Sequence, residues 1–148
     1  MKRIWIGFVV LAAMTPSLGQ TLSQQKMCDE QAYLKFHREF EDAYDATKYI
    51  SHFDPKANVC YVMFIGSGHA VGRKDKETVF ARKEIEDAFE GTIYGEFFST
   101  VCPDCRATEC WVKPHGSDAS VSCDSHADFL DQSNQFFGLA RKYFGLKA

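Results

Sequence analysis

The chain has 148 residues, 45% of them hydrophobic and 14% aromatic, with a net charge of −3 and six cysteines. One domain with a sizeable core fits that length. A mildly acidic chain without a basic stripe excludes a nucleic-acid binder, because phosphate contacts require clustered lysine and arginine. No internal repeat or low-complexity segment interrupts it.

Lys2 and Arg3 precede an apolar run from Ile4 to Met14 and a small-residue exit, Ser17-Leu18-Gly19. Charged start, short apolar run and small residues form the layout of a secretory signal peptide. The run is well short of the ~20 apolar residues a membrane-spanning helix needs. Thr15 to Gln20 carries no helical pattern. The expected division is a signal peptide over 1–19 and a single globular domain over 20–148. The polar Gln24-Gln25-Lys26-Met27 before Cys28 does not suit a lipoprotein processing site, so the product is expected without a membrane anchor, in a periplasmic or extracellular compartment. An even cysteine count in an exported chain reads as three disulfides, whose pairing sequence alone does not fix.

A helix is predicted from about Cys28 to Thr47. Cys28, Ala32, Phe36, Phe40 and Ala43/Tyr44 recur at three- and four-residue intervals and form an aromatic inner stripe. Tyr49 to Asn58 then crosses towards a strand, with a turn at Asp54-Pro55-Lys56-Ala57-Asn58. The strand is Asn58-Val59-Cys60-Tyr61-Val62-Met63-Phe64-Ile65, apolar almost throughout and closed by Gly66-Ser67-Gly68. It is read as the central strand. Cys28 on the inner stripe and Cys60 near the strand start are expected to pair, because the return from Thr47 to Val59 can span the length of the helix.

Three motifs carry a resemblance: Cys28-x-x-Gln31-Ala32, His52-Phe53-Asp54-Pro55-Lys56-x-Asn58-x-Cys60, and Asp87-Ala88-Phe89-Glu90-Gly91-x-x-Tyr94. Together they resemble a group of small, exported, uncharacterised bacterial proteins over roughly Cys28 to Gly91, with a weaker echo in the C-terminal helix. Phe53-Asp54 departs from the Tyr-Asn usual in that group. The resemblance implies no activity.

Gly66-Ser67-Gly68-His69 is a turn rather than a phosphate loop. Val79 to Phe89 fits a helical stripe through Ala81, Ile85 and Ala88/Phe89, but Val79, Ala81, Ile85 and Phe89 also share one face of a strand. The resemblance favours a hairpin through Glu90-Gly91, with its first strand in the second half of that span and Thr92 to Phe98 as its second.

Cys102-Pro103-Asp104-Cys105 resembles the active-site pattern of thioredoxin- and glutaredoxin-like proteins, in which a helix N-terminus acidifies the first thiol. Pro114 follows too soon after Cys105 for the long helix such a site needs. Cys102, Cys105, Cys110, His115, Cys123 and His126 can also supply zinc ligands, although Cys123-Asp124-Ser125-His126 is only a loose substitute for the second close-spaced pair of a zinc ribbon. Thr108 to Val112 and Ala119 to Cys123 read as two short strands that set Cys110 beside Cys123. Ser125 to Asp128 has a capping-box outline. The helix behind it, ending at Gly145, carries Phe129, Phe136, Ala140 and Tyr143, with Leu130, Phe137 and Phe144 alongside.

The expected fold is therefore α+β: an N-terminal helix, four or five short antiparallel strands and a C-terminal helix, with both helices on one sheet face and disulfides in support. The expected function is non-catalytic: an exported module that binds a protein or small molecule without a cofactor or metal. No nucleophile elbow or zinc-protease motif is present. A thiol–disulfide oxidoreductase using Cys102 and Cys105 is the alternative, and metal binding by the C-terminal Cys/His cluster the third reading.

Overall fold

The computed structural model describes residues 18–42, 44–71, 77–102 and 105–147. Most of the export segment lies outside these residues. Helix α1 (Leu18–Glu39) leads into strands β1 (Ala46–Asp54), β2 (Val59–Val71), β3 (Glu77–Asp87), β4 (Ile93–Thr100), β5 (Ala107–Val112) and β6 (Val121–Ser122), and helix α2 (Phe129–Phe144) closes the chain. The strands form one antiparallel sheet in sequence order. The α+β class stands, with six strands rather than four or five.

The two helices lie on opposite faces of the sheet, not on one. The reason is written in β2, where six successive residues, Val59 to Phe64, are all buried. Alternate side chains of a strand point to opposite faces. Val59, Tyr61 and Met63 join Phe136, Ala140 and Phe144 of α2 in one core, while Cys60, Val62 and Phe64 join Cys28, Ala32 and Phe36 of α1 in another. A strand apolar on both faces needs cover on both. Two helices on one face would have left Cys60, Val62 and Phe64 in water.

Helix α1 starts ten residues before Cys28 and stops at Glu39, eight before Thr47. Its first turns are polar and therefore carry no apolar stripe, yet glutamine, lysine and methionine are good helix formers. Its inner stripe of Cys28, Ala32 and Phe36 is as expected. The segment after it, Thr47-Lys48-Tyr49-Ile50-Ser51, is a strand because β-branched and aromatic side chains suit a pleated surface. That edge strand is the sixth, unforeseen one. Gln25 of α1 accepts a hydrogen bond from the Phe53 backbone N–H at 2.9 Å and secures it to the helix.

Two turns at one end of the sheet share a design. Asp54 Oδ1 accepts from the backbone N–H groups of Lys56 and Ala57, at 2.8 and 3.3 Å, and Asn58 closes the turn with φ 55°. Asp87 Oδ1 accepts from Phe89 and Glu90, at 2.7 and 3.1 Å, and Gly91 closes with φ 70°. Each uses a side chain that bonds its own backbone and a residue that tolerates the left-handed region. Between them β3 is a strand along its whole length, not only in its second half.

Helix α2 is capped by Asp128, whose side chain accepts from the Asp131 N–H, and not by Ser125; Gly145 ends it in the left-handed conformation at φ 68°. Leu130, expected beside the inner face, is 64% exposed. Buried Gln132 is fully used: its Oε1 accepts from Ala107 N–H at 2.6 Å and its Nε2 donates to the Asp124 carbonyl at 2.9 Å.

The cysteines form three bonded pairs, Cys28–Cys60, Cys102–Cys105 and Cys110–Cys123, with Cα separations of 5.3, 5.1 and 5.5 Å. Among the described residues no helix is long and apolar enough to cross a membrane. The Cys28–Cys60 bridge, across 32 residues of chain, ties α1 to β2, the second of the six strands. Replacing Cys60 by alanine is expected to cost about 3–4 kcal/mol, read as a lower denaturant midpoint. A Cβ added at Gly138 would meet no atom within 4 Å. Gly138→Ala is therefore expected to stabilise by up to about 1 kcal/mol in the same measurement.

Candidate functional site

Strand parity builds a site on the α2 face of the sheet. Cross-strand register places Ser67, Ala81, Ser99 and Ala107 in one row on neighbouring strands. The next row holds Lys48, Ile65, Lys83, Phe97 and Cys110. Small side chains in the first row leave space that α2, lying over β4 and β5, does not fill. The result is a pocket of about 390 Å³ lined by Lys48, Ile65, Ser67, Ala81 and Lys83 from the sheet and by Phe129, Ser133 and Phe137 from α2. Its walls are chiefly apolar, with a few convergent polar groups, the common make-up of a small-molecule site.

Lys83 is the chemical centre of that pocket. It is 5% exposed, and its Nζ donates to Ser133 Oγ at 2.6 Å. The same Nζ stands 3.9 Å from the centroid of the Phe97 ring and 4.5 Å from that of Phe137. Ring faces attract a cation but do not neutralise it. No carboxylate among the described residues pairs with Lys83, and burial lowers its pKa from the ordinary 10.5 to about 8.

The other buried lysine shows what this protein does when it neutralises such a charge. Lys35 of α1 lies 2.7 Å from Glu86 Oε2, both side chains no more than a tenth exposed. Burial raises the Glu86 pKa, and the hydrogen bond from Lys35 works against that rise. Nearby Arg82 bonds Tyr44 at 3.1 Å and Glu84 at 2.5 Å. Arg82, Glu84 and Glu86 alternate with Lys83 along β3 and belong to the α1 face. Acids thus meet bases on one side of the sheet, and Lys83 stands apart on the other.

The residues singled out from sequence lie elsewhere. Cys102 and Cys105 are bonded to each other in the β4–β5 connection, and the chain continues from them into β5 rather than a helix; the start of α2, Asp128 to Leu130, lines a pocket with Cys102. Cys110 and Cys123 are bonded across β5 and β6, as the hairpin reading expects. His115 sits 3.3 Å from the Tyr94 hydroxyl in the β5–β6 loop, and His126 is exposed in the turn before α2. Among the described residues no group of three or more His, Cys, Asp or Glu side chains is placed to hold a metal. Lys83 and Ser133 escaped the sequence reading. Once β3 is a strand, the row Val79, Ala81, Lys83, Ile85 carries one charge on an otherwise apolar face, and that was the available signal.

No family model, curated protein or solved structure matches the chain.

The Lys83 charge has a measurable cost. Between pH 8 and 10.5 the unfolded chain holds the lysine proton and the folded chain does not, so this group's contribution to stability rises with pH across that window. Lys83→Met keeps the packing stem and is expected to be more stable than the natural chain at neutral pH by about 1–3 kcal/mol. That difference should close as the pH rises from 8 to 10.5 in parallel urea titrations. A constant difference would assign the effect to packing alone.

Proposed function

We propose that the protein is an exported, disulfide-stabilised binding module whose Lys83 pocket takes a small amphipathic anion, an aliphatic carboxylate. The carrying observation is the ammonium of Lys83, enclosed by Phe97, Phe137 and Ser133 with no carboxylate partner among the described residues. A buried charge without a counter-ion is costly, and a ligand carboxylate supplies the missing one. The aliphatic body lies against Ile65, Ala81 and Phe129, and Lys48 at the margin of the pocket adds a second positive charge. Export is supported by the Lys2-Arg3 start, the Ile4–Met14 apolar run and the three disulfides.

Isothermal calorimetry with decanoate and decanol separates the charge from the tail. Decanoate is expected to bind roughly ten- to a hundredfold tighter, the worth of a charge-assisted hydrogen bond. Lys83→Met should abolish that preference and leave decanol binding unchanged. Equal affinity for acid and alcohol in the natural chain would defeat the reading.

A further inference from the structure

The chemistry of the pocket extends beyond reversible binding. An ammonium that only anchors an anion works best when its proton is held firmly, as Lys35 is held against Glu86. Lys83 is enclosed by rings and a hydroxyl instead, and burial favours its uncharged amine. A free amine facing an apolar pocket is a nucleophile towards carbonyl carbon. From this juxtaposition of Lys83 Nζ, Ser133 Oγ and the cavity under Phe129 and Phe137, we propose that the protein captures aliphatic aldehydes covalently, as an imine on Lys83. This rests on the reading of the pocket as the ligand site and names a second ligand class for it.

The step balances without any further reactant. Lys83 first gives one proton to solvent. Its nitrogen lone pair then attacks the aldehyde carbon, forming the C–N bond as the carbonyl π pair moves to oxygen. Ser133, hydrogen-bonded to Nζ at 2.6 Å, passes a nitrogen proton to that oxygen and is left unchanged. The resulting carbinolamine takes up one proton from solvent and expels its hydroxyl as water, which leaves a protonated imine. Nothing is oxidised or reduced. The aldehyde's tail fills the apolar space that the row of Ser67 and Ala81 leaves open.

The charged surroundings of Lys83 are few. Lys48 is the other charged side chain lining the pocket. β2 and β4 present Ile65, Ser67 and Phe97, and α2 presents Ser133 and Phe137. Arg82 and Glu84 flank Lys83 in sequence but point to the other face.

The test is reductive trapping on the full secreted protein with decanal and cyanoborohydride, read by intact mass and peptide mapping over a pH series. One decyl adduct is expected, on Lys83, formed at least roughly tenfold faster than on the surface lysines. Its rate should rise with pH and level off near pH 8. Ser133→Ala should slow trapping by roughly ten- to a hundredfold at the same residue, the loss of a positioned proton relay. Lys83→Arg should lose the fast adduct. Adducts spread over surface lysines according to exposure, or a Lys83 rate still climbing at pH 10, would overturn the proposal. Decanal bound in calorimetry but never trapped would overturn the covalent step alone and leave the pocket as a ligand site. Neither decanal nor decanoate binding would overturn both readings together.

Discussion

Burial of β2 on both faces is the constraint on which the rest of the structure depends. Val59 to Phe64 place apolar side chains alternately above and below the sheet, and each set has to be covered. Helix α1 covers one and α2 the other, so the sheet becomes the middle of three layers. The Cys28–Cys60 bridge is set where that constraint is strongest, between the stripe of α1 and the strand it covers. The α1 core is the smaller of the two, and a covalent tie suits a layer with less area to bury. α2 needs no bridge of its own, since Phe136, Ala140 and Phe144 reach Tyr61, Met63, Ile85 and Phe97 directly.

The same two-sided arrangement sorts the charges of β3. Its even-numbered residues, Arg82, Glu84 and Glu86, meet partners on the α1 side, where Lys35 and Tyr44 complete a network. Its odd-numbered residues face α2, where Lys83 stands between Ala81 and Ile85 and Asp87 at the strand end accepts from the turn backbone. A strand of alternating polarity would normally turn such residues to water. Here both faces are covered, and the two buried lysines differ in kind: Lys35 is paired with Glu86, while Lys83 stands at the edge of a cavity.

Much of this architecture was legible in the sequence, and the gaps have physical causes. The inner stripe of α1, the buried run of β2, the Asp54 turn and the two long-range cysteine pairs follow from periodicity and local turn chemistry, whereas the hairpin through Glu90-Gly91 came from the resemblance. β2 is second of six strands and runs on through Gly66-Ser67-Gly68, where a turn was expected. The start of α1 was missed because Gln24, Gln25 and Lys26 favour helix without forming a stripe. β1 was missed because the helical spacing of Phe36 and Phe40 appears to continue through Ala43 and Tyr44. The one-face arrangement fails because an unbroken apolar strand has two apolar sides, and each needs its own cover. The pocket was harder still. Its floor is a row of small residues contributed by neighbouring strands, and no single segment shows that row until the register is known. Lys83 read as one more charge in a charged segment, and Ser133 as one more polar residue in a helix.

The two ends of the sheet have different duties. The Asp54 and Asp87 turns and the Cys28–Cys60 bridge fasten one end, where β1 meets β2 and β3 meets β4. The pocket lies towards the other, where β2 ends, β3 begins and Cys102 is bonded to Cys105. The fastened end and the pocket therefore draw on separate sets of residues. A lineage carrying this fold has latitude to remodel the mouth of the pocket, by changing loop length or enlarging a small side chain in the Ser67–Ala81 row, without loosening the end that holds the layers together. Ligand preference can drift among descendants while the scaffold stays recognisable by its fastened end.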